Sequence, residues 1–556
     1  MKFFLLFLAF SISVLSQQNS ELNRLSHEFF TWRATQQPAS SDDIPRVERP
    51  DMWVPDWSPS ALKEYNEYYS LSLENLESID KTSWSRPDSV DYLCLRSAIE
   101  RVNWEISVLK SPYNNPDFYV HQTLGTLFEL LIISSPIDAN RIENIILRLN
   151  SFPRTIEYAK NNLNSPVQSF TKIALGNLED IGSKLDAVET SLMQVCSENL
   201  QNKLSRSFIE AKKSLMSYEK WLNSEYDRMP ATFNVGRDGY EYYLKKIALI
   251  PHTPDELLLM GEMEWDRSVA FDHLAKMKNV GLPELPVFKT IEEQIRKEAI
   301  DELAIREFLV EQNIMSVPDW VQHYINAPFP EYLDPLAYMG VTDDLTSKSR
   351  LNENGVKFII PPKPEMPFFW LSMAKDPRGI IIHEGVPGHY FQLVRSWANP
   401  DFTRQHFIDP GANEGIGFYV EEMMLQQGIF ADKPRSTEMI YSYMRLRAFR
   451  VDVDINLALG NYTVEDAAKY LSDTVPMDFK TALDETGFFA NNPGQAISYQ
   501  IGKIQIMNFI SDAKLKQREK FDLKSLHDYL IINGNVPIAL LRWEYLGLDD
   551  QIKKLW

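Results

Sequence analysis

Through most of the chain apolar residues return every three to four positions, the spacing of helices that bury one face. Start and stop signals bracket these runs. Ser58-Pro59 places an N-cap and a first-turn proline before an amphipathic run to Ile79. Thr253-Pro254-Asp255-Glu256 reads as a capping box, with Gly281 as the stop, and Thr290-Ile291-Glu292-Glu293 opens a further helix to about Asn313. Strand signals are few. The best is Gly355-Val356-Lys357-Phe358-Ile359-Ile360, closed by Pro361-Pro362. Two readings of it stand open, a cleft-edge strand that pairs with an extended substrate and a buried β-hairpin strand with no ligand. A Pro/Asp-rich stretch from Gln36 to Pro59 reads as an extended arm over the surface. The pattern predicts a mainly α fold: a large helical body with a deep cleft and one small β element. Residues 17–240 form an N-terminal helical region and 241–556 the region holding nearly all candidate chemistry, with the boundary near Asn234–Pro254 and both expected to share one body.

Composition narrows the setting. Met1-Lys2 and the apolar run from Phe3 to Leu15 read as a secretory signal peptide over residues 1–16, with Val14 and Ser16 matching the small-residue cleavage pattern. The run is short for a membrane span, and no other stretch is apolar enough, so no membrane association is expected after its removal. Secretion makes Asn461-Tyr462-Thr463 a glycosylation sequon in a eukaryotic host. The two cysteines, Cys94 and Cys196, allow either one bridge or two buried thiols, so the fold rests on its core, for which 44% hydrophobic residues and 12 tryptophans are ample. A net charge of −20 argues against nucleic acid and anionic membranes as partners.

The chemistry concentrates in Ile382-His383-Glu384-Gly385-Val386-Pro387-Gly388-His389. In a His-Glu-x-x-His helix the imidazoles stand at i and i+4, about 40° apart, and share one metal. Here the second histidine comes at i+6, about 240° round an ideal helix, so a straight helix cannot aim both at one ion. Pro387 removes a helical N–H and Gly388 tolerates unusual backbone angles. A bulge or kink there would return His389 over His383. The third ligand is expected from Asn413 to Glu422, with Glu414 preferred and Glu421, seven residues on and sharing its face, as the alternative ligand or a supporting partner. Glu384 is placed to take a proton from water and pass it to a leaving amine. Tyr499 is the candidate donor to the developing oxyanion. Arg447, Arg450 and Lys503 are candidates for binding a substrate's terminal carboxylate; a buried Arg–Asp brace involving Asp454 is the bland alternative.

Taken together these segments resemble the family known as domain of unknown function 885, which has been linked to gluzincin-like zinc peptidases. Its His-Glu-x-x-Pro-Gly-His-His-x-Gln element matches His383, Glu384, Pro387, Gly388, His389 and Gln392. Its Glu-Gly-Trp-Ala-x-Tyr-x-Glu element matches Glu414, Gly415, Tyr419 and Glu421 or Glu422. Its Pro-Gly-Gln-Ala-x-Ser-Tyr-x-Ile-Gly element matches Pro493 to Ala496, Ser498, Tyr499, Ile501 and Gly502. Tyr390 stands where the family usually carries a second histidine, and Ile416-Gly417 replaces Trp-Ala. The resemblance implies zinc on His383, His389 and Glu414, with Glu384 as base and Tyr499 as a transition-state donor. The expectation is a secreted zinc metallopeptidase acting on short peptides, as a carboxypeptidase or dipeptidyl-carboxypeptidase. A zinc amidase for non-peptide amides and a non-catalytic binding protein are the alternatives; the intact Glu384 speaks against the last.

Overall fold

Helix-forming signals dominate the sequence and helices dominate the structure, at 70% of the chain against 3% strand. A computed structural model describes residues 20–40, 46–475 and 477–555; the expected signal peptide, 1–16, lies outside the described residues. The helices that matter for the site are α1 (Pro59–Glu77), α2 (Arg86–Asn103), α3 (Pro254–Lys278), α4 (Ile291–Glu311), α5 (His389–Trp397), α6 (Pro410–Gln427), α7 (Ser436–Leu459), α8 (Phe479–Asn491) and α9 (Gln495–Gln517). Their ends follow the local chemistry. Ser58 accepts from Ala61 N at the start of α1. Thr253 and Glu256 close a reciprocal capping box on α3, and Thr290 caps α4. Such caps satisfy N–H groups that the helix itself leaves unpaired, each for about 1 kcal/mol.

The small sheet has three strands, β1 (Tyr324–Pro328), β2 (Asp343–Asp344) and β3 (Gly355–Ile359), in the order β1-β3-β2. β3 pairs in parallel with β1 and antiparallel with β2. It is therefore the central strand and buried along its whole length. The cleft-edge reading of this segment does not hold, because both of its edges already carry backbone partners. Lys357 points inward and meets Asp343 at 2.6 Å, and the same carboxylate accepts from Tyr324 Oη at 2.5 Å.

The main apolar cluster draws side chains from Leu22 to Leu555, so residues from both halves of the chain contribute to it. The stretch after Gln36 is irregular where described, and it buries Trp53 and Trp57 rather than lying wholly on the surface. Cys94 and Cys196 are both buried free thiols, so no disulfide braces the fold. Asn461 is exposed just beyond the end of α7. Among the described residues no helix is long and apolar enough to cross a membrane.

Candidate metal centre

The two histidines sit on different helical pieces. A short helical segment enters a single wide turn over Ile381–Gly385, closed by Val386 N donating to Ile381 O at 2.9 Å. The chain then extends through Val386, passes Pro387 and Gly388, and begins α5 at His389. The i+6 spacing is thus resolved by breaking the helix and starting another, a sharper change than the kink expected from sequence. Gly388 is required by close approach: a Cβ there would stand 1.8 Å from the His383 carbonyl oxygen. The result brings the imidazole rings to 4.7 Å between centroids, nearly perpendicular at 82°.

Glu414, one turn into α6, faces both rings. Its Oε2 lies 3.2 Å from His389 Nε2 and 3.5 Å from His383 Nε2. Four ligands about 2.0–2.1 Å from a common centre stand about 3.3 Å apart along the edges of a tetrahedron. The observed separations match that edge. Glu384 Oε2 and Glu414 Oε2 are both buried without a well-formed hydrogen bond, as befits donors aimed at a shared centre rather than at each other. The ligating atoms of His383, Glu384 and His389 also fall within 4.8 Å of one another, so Glu384 borders the same centre. His383, His389 and Glu414 are 3%, 1% and 3% exposed, whereas Glu384 is only half-buried. The most accessible of the four is the one expected to handle protons. These residues fit a divalent ion of the zinc type.

Glu421 stands on the other side of His383. Its Oε1 stands 2.7 Å from His383 Nδ1, off the ideal N–H axis, and 2.9 Å from Arg447 Nη2. It touches the far nitrogen of the ring, not the side facing Glu414. A carboxylate there fixes the tautomer and orientation of a ligating imidazole. Burial alone would depress the His383 pKa, but the neighbouring carboxylates of Glu414 and Glu421 push it up to about 9. Burial opposes the charge on Glu414 as well, yet His389 and His383 hold its carboxyl well below the usual carboxylate range.

Tyr499, one turn into α9, lays its ring nearly parallel to His383 at 6.2 Å. Arg450 and Arg447 stand over that ring, their guanidinium carbons 4.6 and 5.6 Å from its centre. The three basic candidates are all committed elsewhere. Arg447 is bound to Glu421, Arg450 to Glu485 on α8 at 2.5 Å, and Lys503 to Glu264 and Glu422 at 2.9 Å each. The Arg–Asp brace is absent too: Asp454 accepts from the backbone N–H groups of Gly494 and Ile497 and caps the start of α9. Burial, against those hydrogen bonds, raises its pKa to about 7.

The sequence profile of one family, described as a bacterial protein of unknown function, DUF885, matches residues 45–544. The chain belongs to that family. Among solved structures it is similar to "a putative lipoprotein of unknown function" from Shewanella oneidensis, with a TM-score of 0.74 and 17% identity over 95% of this chain and 100% of that one. It is also similar to a second "putative lipoprotein", from Colwellia psychrerythraea, with a TM-score of 0.73 and 16% identity over 94% and 98% of the two chains. At these identities the likeness concerns the fold. No curated protein matches.

Two departures from the DUF885 motifs have a visible place. Tyr390 is buried away from the imidazoles, its ring against Gly355 of β3 and its hydroxyl donating to Glu353 O at 3.3 Å. Gly417 presents its missing side chain to the histidines: a Cβ there would stand 2.9 and 3.0 Å from the Cε1 atoms of His383 and His389. Two features escaped the sequence. The Arg447–Glu421–His383 chain has no local signature because its members come from three helical segments. The buried Lys357–Asp343–Tyr324 group, whose Lys357 and Tyr324 feel the Glu384 charge, was hidden inside a strand pattern that reads as ordinary core.

Proposed function

We propose that this protein is a zinc-dependent hydrolase of peptide bonds, acting outside the cytoplasm on short peptides. The observation that carries the reading is the convergence of His383 Nε2, His389 Nε2 and Glu414 Oε2 at tetrahedral-edge distances, with Glu421 behind His383 and Glu384 beside the group. Zinc held there would supply Lewis acidity and bring water's pKa toward about 7.

The chain's own residues supply the remainder. Glu384 borders the ligand atoms and accepts the proton of the attacking water, then returns it to the leaving amine as the C–N bond breaks. Tyr499, whose ring lies parallel to that of His383 at 6.2 Å, would donate its phenol proton toward the charge developing on the carbonyl oxygen. Arg450 and Arg447 over the Tyr499 ring hold that phenol in place, which makes them positioning residues. Glu421 keeps His383 Nε2 turned toward the centre. The extracytoplasmic setting draws on the apolar N-terminal run and on the lipoprotein descriptions of the two similar structures.

A digest of a random peptide library by the zinc-loaded protein, with cut sites mapped by mass spectrometry, tests the reading. It predicts cleavage that a chelator abolishes, that zinc restores and that Glu384→Gln lacks. Intact peptides after incubation with the zinc-loaded protein would overturn it. Cleavage of anilides or other non-peptide amides alone would favour the amidase reading instead.

A further inference from the structure

An exopeptidase needs a cation for the substrate's terminal carboxylate, and Arg447, Arg450 and Lys503 are each held in a buried ion pair. The structure offers a different one. A cavity of about 280 Å³ opens between the N-terminal helices and the starts of α6 and α9. Pro410 and Gln495 lie on its wall. Each stands one helical turn, about 6 Å of rise, before Glu414 or Tyr499 on the same helix. The cavity wall thus includes the first residue of each of the two helices that carry Glu414 and Tyr499.

Its lining suits an amphiphilic acid. Phe29, Trp104, Phe118 and Phe488 supply apolar walls. Arg101 of α2 supplies the charge. This half-buried guanidinium bonds the neutral Tyr243 phenol and has no carboxylate within ion-pair distance among the described residues. A second wall residue, Arg33, is 5% exposed; it pairs with Glu105 through Nη2 and leaves Nη1 buried without a partner. A buried donor without a partner is unfavourable, and an anionic guest would relieve it. Besides Glu105, two acidic groups limit the site. Asp117, on the same wall, is tied to Asn177 and Asn491 and sits 3.4 Å from His121. Asp409 feels the Arg101 charge while capping α6.

We infer that this cavity receives the C-terminal residue of a short peptide, with a large apolar side chain against the aromatic walls and its free carboxylate on Arg101. The inference rests on the peptidase reading for its direction of cleavage but not for the binding itself. The pocket is small beside the ~300–1,000 Å³ of typical small-molecule sites, so one or two residues fill it. Arg101 belongs to the half of the chain that carries none of the proposed metal ligands.

The test is calorimetric binding of N-acetyl-alanyl-phenylalanine and its C-terminal amide to the full chain, with and without zinc, so that turnover is not needed. The free acid should bind at least about tenfold tighter than the amide, as expected for a charge-assisted hydrogen bond. Arg101→Gln should erase that difference, Arg101→Lys should keep part of it, and Ala98→Phe, which fills the cavity, should weaken both ligands. Thermal melts show whether each variant is folded. Equal binding of acid and amide, or a preference that survives Arg101→Gln, would overturn the assignment. A preference lost in Arg101→Gln with no peptide cleaved by the wild type would uphold the pocket and sink the peptidase reading.

Discussion

Removing the Glu421 carboxylate separates a supporting role from ligation, and the structure sets the size of each effect. Glu421 is fully buried and lies between His383 Nδ1 at 2.7 Å and Arg447 Nη2 at 2.9 Å. Glu421→Ala deletes the group that orients a ligating imidazole, a change that costs about 10–100-fold in metal affinity. It also strands Arg447, only 5% exposed, and breaking a buried ion pair costs about 3–5 kcal/mol. With an unfolding entropy of about 2.1 cal/mol/K per residue, that lowers the melting temperature of a chain this long by only about 3–4 °C. Adding Arg447→Met should recover much of the stability without recovering metal affinity, because the His383 defect remains. Zinc affinity is read by competition with a chelating dye and stability by a thermal scan at fixed zinc. An unchanged affinity would refute the supporting role. Complete loss of zinc, matching the loss in Glu414→Gln, would mean that Glu421 is itself a ligand.

Other outcomes follow from single contacts. Gly388→Ala places a methyl 1.8 Å from the His383 carbonyl; it should abolish zinc retention and lower the melting temperature, whereas a normally metallated variant would show that the tight passage can relax. Asp454, with its pKa raised to about 7 by burial, takes up its proton in the fold at a higher pH than in the unfolded chain, near 4. The native state therefore binds the extra proton between about pH 4 and 7, and this group's stabilising contribution, full at low pH, is lost as pH rises through that window. Asp454→Asn should flatten the stability slope there by up to about 1.4 kcal/mol per pH unit, measured by urea titrations at pH 4.5 and 7. A slope equal to that of the wild type would show that Asp454 does not titrate in this range.

Much of this was legible in the chain because its signals were local. Ser58, Thr253 and Thr290 announce their helices through side-chain to backbone bonds spanning three residues, and those caps stand in the structure as read. The spacing of His383 and His389 foretold a bulge or kink, though not the full break, since no regular helix aims residues six apart at one point. What periodicity does not carry is partnership across the fold. Arg447, Arg450 and Lys503 looked free because their carboxylates, Glu421, Glu485, Glu264 and Glu422, come from other helices. The strand at Gly355 was visible as a strand, but its central position depends on β1 and on the two residues of β2, too short to leave a pattern. Arg101 was invisible for the opposite reason: its interest lies in a carboxylate partner it does not have among the described residues.

The central claim, that His383, His389 and Glu414 hold zinc while Glu384 works beside it, meets its most direct test in zinc content by inductively coupled plasma mass spectrometry. The samples are the wild type, Glu384→Gln and Glu414→Gln, each purified without chelator and dialysed against the same zinc buffer. The account predicts about one zinc per chain in the wild type and in Glu384→Gln, and a small fraction of that in Glu414→Gln. Zinc retained by Glu414→Gln and lost from Glu384→Gln would reverse the two roles, and a wild type without zinc would contradict the claim outright.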